Sequence, residues 1–195
     1  MRFLNFFRRK VLRPDTANEA PQDYLMSEVM AKYPSGPIRR GSLKGVARHL
    51  DLKDSEPVID EILIFDADDH WFCVFLGCRP LGLPFELSFR FAKRSDEDTP
   101  PDWFVEPVTR VANGIGDGAL CAPGITWKIG APLDGPDSAY FGFLTLPDLE
   151  FGLLEPDCLL QLVPVSNDEL SVHGNDHKQL CDRIEKDRSR MIGGK

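Results

Sequence analysis

The sequence lacks a long apolar run, since no stretch approaches the roughly 20 consecutive apolar residues that a membrane-spanning helix needs. Its first residues, MRFLNFFRRKVLRP, place the basic cluster after the apolar residues, which is the reverse of the order in a secretory signal. We therefore expect neither a membrane span nor a cleaved signal. One alternative stays open: residues 1–13 could form an amphipathic helix that lies on a membrane surface and makes the chain an adaptor there.

Cysteine is scarce and follows no pattern. The chain has five cysteines, an odd number, and none of them forms a CxxC pair. A chain of 195 residues can bury a core of ordinary size without disulfide cross-links. We therefore expect free thiols and a cytoplasmic location, because the cytoplasm keeps thiols reduced.

Basic charge is in short supply over most of the chain. The formal net charge is −8, although residues 1–13 carry +5 and residues 182–195 carry +2. The interval 14–181 therefore carries −15. A body this acidic repels nucleic-acid phosphates and favours basic or neutral partners, so we expect another protein as partner and no nucleic acid.

Motifs of catalysis are missing as well. No GxSxG nucleophile elbow occurs, and the glycine-rich run at 113–118, NGIGDG, lacks the Lys-Ser/Thr pair of a phosphate-binding loop. That run is explained as a helix end followed by a turn. The ionisable residues at 66–70 could act as acid and base, but solvation in a hairpin turn would leave their pKa values unshifted. The sequence thus predicts no enzyme and no cofactor.

One group of residues has the spacing of metal ligands. His173, His177 and Cys181 fall at i, i+4 and i+8, which stacks them on one face of a helix. Gly174 weakens that helix at the first ligand, and no fourth ligand is evident. Our main expectation is that no metal is bound. A metal-binding protein or an enzyme with its site at these three residues stays open as an alternative.

The apolar residues indicate an α+β domain built on a mixed or largely antiparallel sheet. Helical spacing runs from Asp23, the expected N-cap, to Tyr33, and a second helix is predicted over Ser42–Leu50. Strands are predicted over 58–66, 70–77, 85–91, 125–129, 140–146 and 158–165, and further helices over 102–115 and from 168 onward. In the stretch 85–91 the apolar residues alternate with Glu86, Ser88 and Arg90, which predicts a half-buried strand.

The order of the motifs along these elements resembles the suppressor of fused family. In chain order they are FELSFRF (85–91), PPDW (100–103), GITW (124–127), PLD (132–134), LPD (146–148), the apolar strand 159–165 and DEL (168–170). The match covers roughly residues 58–185. The resemblance implies a suppressor-of-fused-like domain over residues 22–187, preceded by a basic segment and linker, 1–21, and followed by a tail, 188–195.

The resemblance also implies a function. Animal members clamp a short peptide of a transcription factor between two lobes by strand addition to a sheet edge, and this chain is similar to the N-terminal lobe alone. The bacterial single-domain relatives are regarded as immunity proteins that bind and neutralise toxins. We therefore expect a non-catalytic protein-binding module, an immunity-type protein whose partner is a toxin domain or peptide.

Site residues can be carried over only where the motifs match. The scaffold residues are Phe85, Glu86, Leu87, Phe89, Arg90, Trp103 and Trp127, and the apolar ones among them are expected in the core. The family's acidic peptide contact falls near Cys78 here, and its peptide-contacting tyrosine falls near Asp66, so recognition differs from that of the animal proteins. The partner-binding residues that we predict are Asp66, Asp68, Asp69, Cys78, Glu86 and Arg90.

Overall fold

The computed structural model describes residues 21–42, 59, 61–94, 97–134, 136–151, 159–172, 177–187 and 192. These residues form a seven-stranded sheet with helices on both faces. The strands are β1 (Arg39–Ser42), β2 (Glu61–Ala67), β3 (His70–Leu76), β4 (Glu86–Ala92), β5 (Thr126–Lys128), β6 (Tyr140–Pro147) and β7 (Leu159–Ser166). The helices are α1 (Pro21–Lys32), α2 (Val105–Gly116), α3 (Asn167–Val172) and α4 (His177–Lys186), with a 3-10 turn at Arg79–Leu81. The predicted α+β class is confirmed.

The sheet is mixed, in the order β1-β2-β3-β4-β7-β6-β5. Every neighbouring pair is antiparallel except β4 and β7, which run parallel at the centre. A two-residue turn joins β2 and β3, and longer links join the other antiparallel pairs. The connection through α2 and two strands is long enough to make β4 and β7 parallel. β4 therefore has a strand on each side.

The β2–β3 hairpin is confirmed, with a tighter turn than the sequence indicates. Ala67 pairs with His70, which leaves Asp68 and Asp69 as the two residues between the strands. Asp68 has a φ of +58° and is the only non-glycine residue with positive φ in the described part of the chain. Aspartate tolerates this left-handed conformation better than most residues do, which suits it to a hairpin turn.

One face of the sheet is covered by α2 and is apolar. The helix begins at Val105, three residues after the predicted start, and its inward residues Val108 and Val111 are fully buried, as predicted. They belong to the cluster that contains Phe89, with Trp103 packed against its edge. Gly114 lies against Trp127: a Cβ at this glycine would stand 2.8 Å from the indole Cζ3. The two tryptophans thus pack α2 against the sheet.

Two separate helical groups cover the other face. Leu25 and Val29 of α1 are fully buried against β2 and β3, among residues that include Phe72. Leu170 and Leu180, from α3 and α4, close a second apolar cluster over β6 and β7. Between these two clusters lie the polar side chains of β4 and the neighbouring Gln161 of β7.

The prediction that β4 is half buried is wrong. Glu86, Ser88 and Arg90 are fully buried, as are the alternating Leu87 and Phe89. β4 is central, so helices flank it on both faces and the polar side has no route to solvent. The burial of the apolar side chains Phe85, Leu87 and Phe89 is confirmed.

Three other expectations need correction or fall outside the structure. Asp23 lies within α1, because this helix begins at Pro21, a residue whose fixed φ suits a first helical position. The sequence RRGS at 39–42 forms the edge strand β1, which was not predicted because it has no β-branched or aromatic residue. Ser42 is therefore a strand residue, and the rest of the predicted second helix, 43–50, lies outside the described residues, as does the segment 1–20.

Four cysteines are free thiols, as expected: Cys73, Cys78, Cys121 and Cys181. Cys158 lies outside the described residues. Among the helices that the structure describes, none has the length and apolar character to cross a membrane.

Candidate functional site: an acidic hollow beside the β2–β3 turn

The turn between β2 and β3 exposes three of the predicted site residues. Asp66, Asp68 and Asp69 are all exposed within four positions of the chain. The Lys93 ammonium lies 2.8 Å from the Asp66 carboxylate and 4.4 Å from the centre of the Trp71 ring. The turn is therefore fixed from the side of β4 while its tip stays acidic.

This turn forms one wall of an open hollow. The rest of its lining comes from the end of α1, the loop that follows this helix, and Glu150. The residues that line it are Lys32, Tyr33, Pro34, Ser35, Gly36, Ile38, Asp66, Ala67, Asp68, Asp69, His70 and Glu150. We call this surface the acidic hollow. It brings together the three predicted aspartates and leaves the other three predicted residues elsewhere.

His70 is the one largely buried side chain at the mouth of the turn. It is 7% exposed, and its Nδ1 lies 2.8 Å from Oδ1 of Asp69. Its Nε2 has no hydrogen-bond partner among the described residues. Asp69 thus orients the ring as it would orient a general base. The hydroxyl of Ser35, which also lines the hollow, does not bond to that nitrogen, so a nucleophile–base pair is not formed.

Arg90 is the centre of a buried polar network that reaches the lining of the hollow through Glu150. Its guanidinium donates to both oxygens of Asp148, and it lies 3.1 Å from Gln161 Oε1 and 3.1 Å from Glu150 Oε2. The carbon at the centre of that guanidinium stands 4.2 Å from the centre of the Phe72 ring. Burial alone would lower the pKa of Arg90, but the negative charge of Asp148 and Glu150 holds it above its usual value. Arg90 is therefore a fixed internal cation.

Glu150 connects this network to the wall of the hollow. Its Oε2 accepts a hydrogen bond of 2.9 Å from the Tyr33 hydroxyl, and its Oε1 lies 2.8 Å from the Lys32 ammonium. Burial raises the pKa of Glu150, but the hydrogen bond from Lys32 and the charge of Arg90 outweigh that effect and leave the pKa below its usual value. For Tyr33, burial and the adjacent Glu150 carboxylate raise the pKa. An ionised glutamate thus ties the end of α1 to the core.

Glu86 and Cys78 lie at the opposite end of β3 from the acidic hollow. The Glu86 carboxylate accepts backbone hydrogen bonds from Gly77, Cys78 and Arg79, at 2.9, 2.8 and 3.3 Å. Burial raises the pKa of Glu86, and the three N–H donors act in the opposite direction. This carboxylate is the hydrogen-bond acceptor for the backbone N–H groups of the segment that leaves β3 and enters the 3-10 turn.

Cys78 and Arg90 resemble Glu86 in having no exposed surface. Cys78 is fully buried, and its burial raises the pKa of the thiol, so it is not a reactive thiolate. A partner could reach Cys78, Glu86 or Arg90 only if the sheet opened. Contact between a partner and any of the six predicted residues stays a prediction. Only the three aspartates among them are exposed enough to make such a contact in the folded chain.

The proposed metal ligands are only partly described. His173 and the side chain of His177 lie outside the described residues. Cys181 is half-buried beside the apolar cluster under α4, and burial raises its pKa to about 11. Within the described part of the chain, no cluster of three histidine, cysteine or acidic residues could hold a metal ion.

The sequence analysis missed the residues that connect the hollow to the core. Asp148 is part of the LPD motif, but nothing local marks it as the partner of Arg90, 58 positions earlier. Tyr33 was assigned to the apolar side of α1, although its hydroxyl bonds to a carboxylate 117 positions away. The one usable signal was the burial-prone strand FELSFRF, which contains an arginine and a glutamate that need partners.

Comparison with known proteins identifies the fold. No protein-family model and no curated protein sequence matches the chain. A solved structure described as the Sufu-Fu complex is similar over 88% of this chain and 88% of its own, with 18% identity and a TM-score of 0.67. The structure of Drosophila Suppressor of Fused is similar over 87% of this chain, with 18% identity and a TM-score of 0.65, and this chain spans 48% of it. The chain therefore has a suppressor-of-fused-like fold.

Proposed function

We propose that this chain is a non-catalytic protein-binding module, and more specifically an immunity-type protein that binds and neutralises a partner toxin. The observation that carries the proposal is the suppressor-of-fused-like fold, because a similar solved structure is that of a complex with another protein, Fu. At 18% identity the likeness extends to the fold, and the binding function is our inference from it.

The electrostatic character of the chain supports a basic partner. The net charge is −8, and the acidic hollow exposes Asp66, Asp68 and Asp69 at its rim. Charge complementarity raises association rates and discourages wrong partners. A toxin that acts on nucleic acid needs a basic substrate-binding surface, and an acidic protein can cover such a surface.

The geometry of the polar residues favours binding over catalysis. Cys78 and Glu86 are buried and stabilise the fold. In the Asp69–His70 pair, no described hydroxyl group is hydrogen-bonded to the Nε2 atom of His70. A rigid scaffold whose buried ionisable groups are paired internally suits a partner that must be held and not transformed.

The experiment is co-expression with the protein encoded beside this chain's own gene. We expect the chain to restore growth of cells that produce that protein and to elute with it as one complex in size-exclusion chromatography. Restored growth with no complex would contradict the binding function. A complex with no effect on growth would support the binding module and overturn its immunity role.

A further inference from the structure

The outer face of α1 is formed by uncharged side chains. Tyr24, Ser27 and Ala31 are exposed and follow one another at i, i+3 and i+7, the spacing of a single helix face. Met30 lies beside Ser27 on this face, and the exposed fractions of Tyr24 and Met30 are 36% and 39%. Between Tyr24 and Ala31 the only charged residue is Glu28, which is half-buried. We call Tyr24, Ser27, Met30 and Ala31 the α1 stripe.

The opposite side of α1 is covered by the sheet. Leu25 and Val29 are fully buried there, and Met26 packs against the same apolar cluster. The tip of Met30 lies against the loop that follows the helix, since a Cβ at Gly36 would stand 3.7 Å from the Met30 Cε. A surface helix ordinarily turns charged residues to solvent, and one with apolar residues on both sides is typical of a position that is covered on both sides.

The size of the α1 stripe favours an occupant from within the chain. Its eight positions, 24–31, rise about 11 Å along a helix about 10 Å wide, so the stripe covers roughly 110 Å². Specific interfaces between separate proteins bury roughly 600 Å² or more on each side. A tethered segment needs far less area, because its effective concentration lies in the millimolar range.

The chain has a segment of matching chemistry before α1. Its apolar residues are Phe3, Leu4, Phe6, Phe7 and Val11. Residues 1–13 carry a charge of +5, opposite in sign to the −15 of the interval 14–181. Val11 is ten positions from Pro21, the first residue of α1, and ten extended residues reach up to about 33 Å. Ser27 lies only about 9 Å along the helix from Pro21, so the segment is long enough to return to the stripe.

We propose that the α1 stripe is the docking surface of the chain's own residues 3–11. The phenylalanine rings cover Tyr24 and Met30, and the basic residues that follow stay in contact with water and the acidic body. A methionine sulfur beside an aromatic ring adds to the stabilisation by burial. The contact lies within the chain, so the inference goes beyond the proposed function and does not depend on it.

The test is limited trypsin digestion of the full chain, with cleavage after Arg8, Arg9 and Lys10 followed by mass spectrometry. Docking protects these bonds because they lie within or beside the docked residues. Met30→Gln makes the stripe more polar without adding a charge or a cleavage site. Cleavage at the three bonds should become about fivefold faster, which corresponds to about 1 kcal/mol. Met30→Leu is the matched control and should leave the rate unchanged, and cleavage after Arg94, which is 71% exposed, is the internal reference.

A second measurement detects the contact itself. The chain has four methionines, so ¹³C labelling of their methyl groups gives four signals, and Met30→Leu assigns that of Met30. We expect Phe6→Ser/Phe7→Ser to shift the Met30 signal, because an aromatic ring changes the field at a methyl group that it covers. Leu120→Ser, at a leucine that is 70% exposed, should leave the signal in place.

Three outcomes would overturn the inference. Equal cleavage rates in the original chain and in Met30→Gln would mean that the segment does not rest on the stripe. A Met30 signal that changes with protein concentration, and not with Phe6→Ser/Phe7→Ser, would identify a second copy of the chain as the occupant. Protection that depends on added phosphatidylserine vesicles, with no effect of Met30→Gln, would identify residues 1–13 as a segment that binds a membrane surface.

Discussion

Side chains on both faces of β4 are buried, but different kinds of contact stabilise the two faces. On one face, Leu87, Phe89 and Phe91 pack against α2 in an apolar cluster. Ring contacts contribute to this cluster: the ring centroids of Phe89 and Trp103, for example, are 5.8 Å apart. On the other face Ser88 and Arg90 are equally buried, in a network of hydrogen bonds and charges. The apolar face tolerates any shape that fills the space, whereas the polar face needs particular partners at particular places.

This difference explains how the acidic hollow is held. The polar network extends from Arg90 through Glu150 to Tyr33 and Lys32, which form a wall of the hollow. An apolar contact in the same place would position the end of α1 less specifically, because hydrophobic attraction has no direction. The buried charges therefore fix geometry at the surface, and we expect their loss to affect both stability and binding.

The largest effect is expected from removing the charge at the centre of the polar face. Arg90→Met keeps much of the volume but leaves Asp148, which has a fully buried side chain, without its cation. The stability should fall by about 3–5 kcal/mol, the usual cost of an uncompensated buried charge. Urea unfolding measures it, with Arg94→Met as the control, because that arginine is 71% exposed. A loss below 1 kcal/mol would mean that solvent reaches Asp148.

The apolar face should respond to a loss of volume instead. Leu87→Ala removes a fully buried side chain from the cluster under α2, so the expected loss is about 2–5 kcal/mol. This loss should stay constant between pH 5 and pH 8, since no ionisable group is involved. Leu81→Ala, at a leucine that is 48% exposed, serves as the control in the same urea experiment. A pH-dependent loss for Leu87→Ala would mean that the two faces are not independent.

The comparison of the two faces also shows what the sequence could predict. The apolar positions of β4 and α2 were found correctly, because burial of an apolar residue follows from the local period of two or 3.6. The burial of the polar positions could not be predicted in the same way, because a charge is buried only when other groups of the fold pair with it. Arg90 and Asp148 are 58 positions apart, and no local pattern announces such a pair.

The acidic hollow could be predicted from the sequence in part, less well than the apolar face of β4 and better than its polar face. The Asp68-Asp69 turn could be found from its hairpin pattern, and the clustering of aspartates there follows from adjacency in the chain. The lining residues at 33–38 and Glu150 depend on how α1 and the 148–151 loop meet the sheet. That arrangement is tertiary, so the sequence indicated half of the hollow.

A smaller effect is expected at the link between the network and the hollow. Glu150→Gln removes the charge that Lys32 and Arg90 share, and the loss should be about 1 kcal/mol because Glu150 is partly solvated. The pKa of Glu150 is below its usual value in the folded chain, so its stabilisation is present above about pH 4.3. It should disappear as the pH falls through that value to the folded pKa. Urea unfolding of the original chain and the Glu150→Gln variant at pH 7 and pH 3 measures this loss. An equal difference in stability at both pH values would refute the predicted pH dependence.

The smallest effect on stability is expected at the tip of the turn, where binding and folding can be separated. Asp68 has a φ of +58°, and glycine adopts this conformation without the steric cost of a Cβ. Asp68→Gly should therefore keep the stability within about 1 kcal/mol of the original while it removes one carboxylate from the acidic hollow. Asp68→Val is the matched contrast, because a β-branched residue resists positive φ and should destabilise the hairpin. Thermal unfolding ranks the three chains, and a stability order of valine above glycine would show that the turn does not hold this conformation. If the partner binds the glycine variant as tightly as the original, the tip of the turn contributes nothing to recognition.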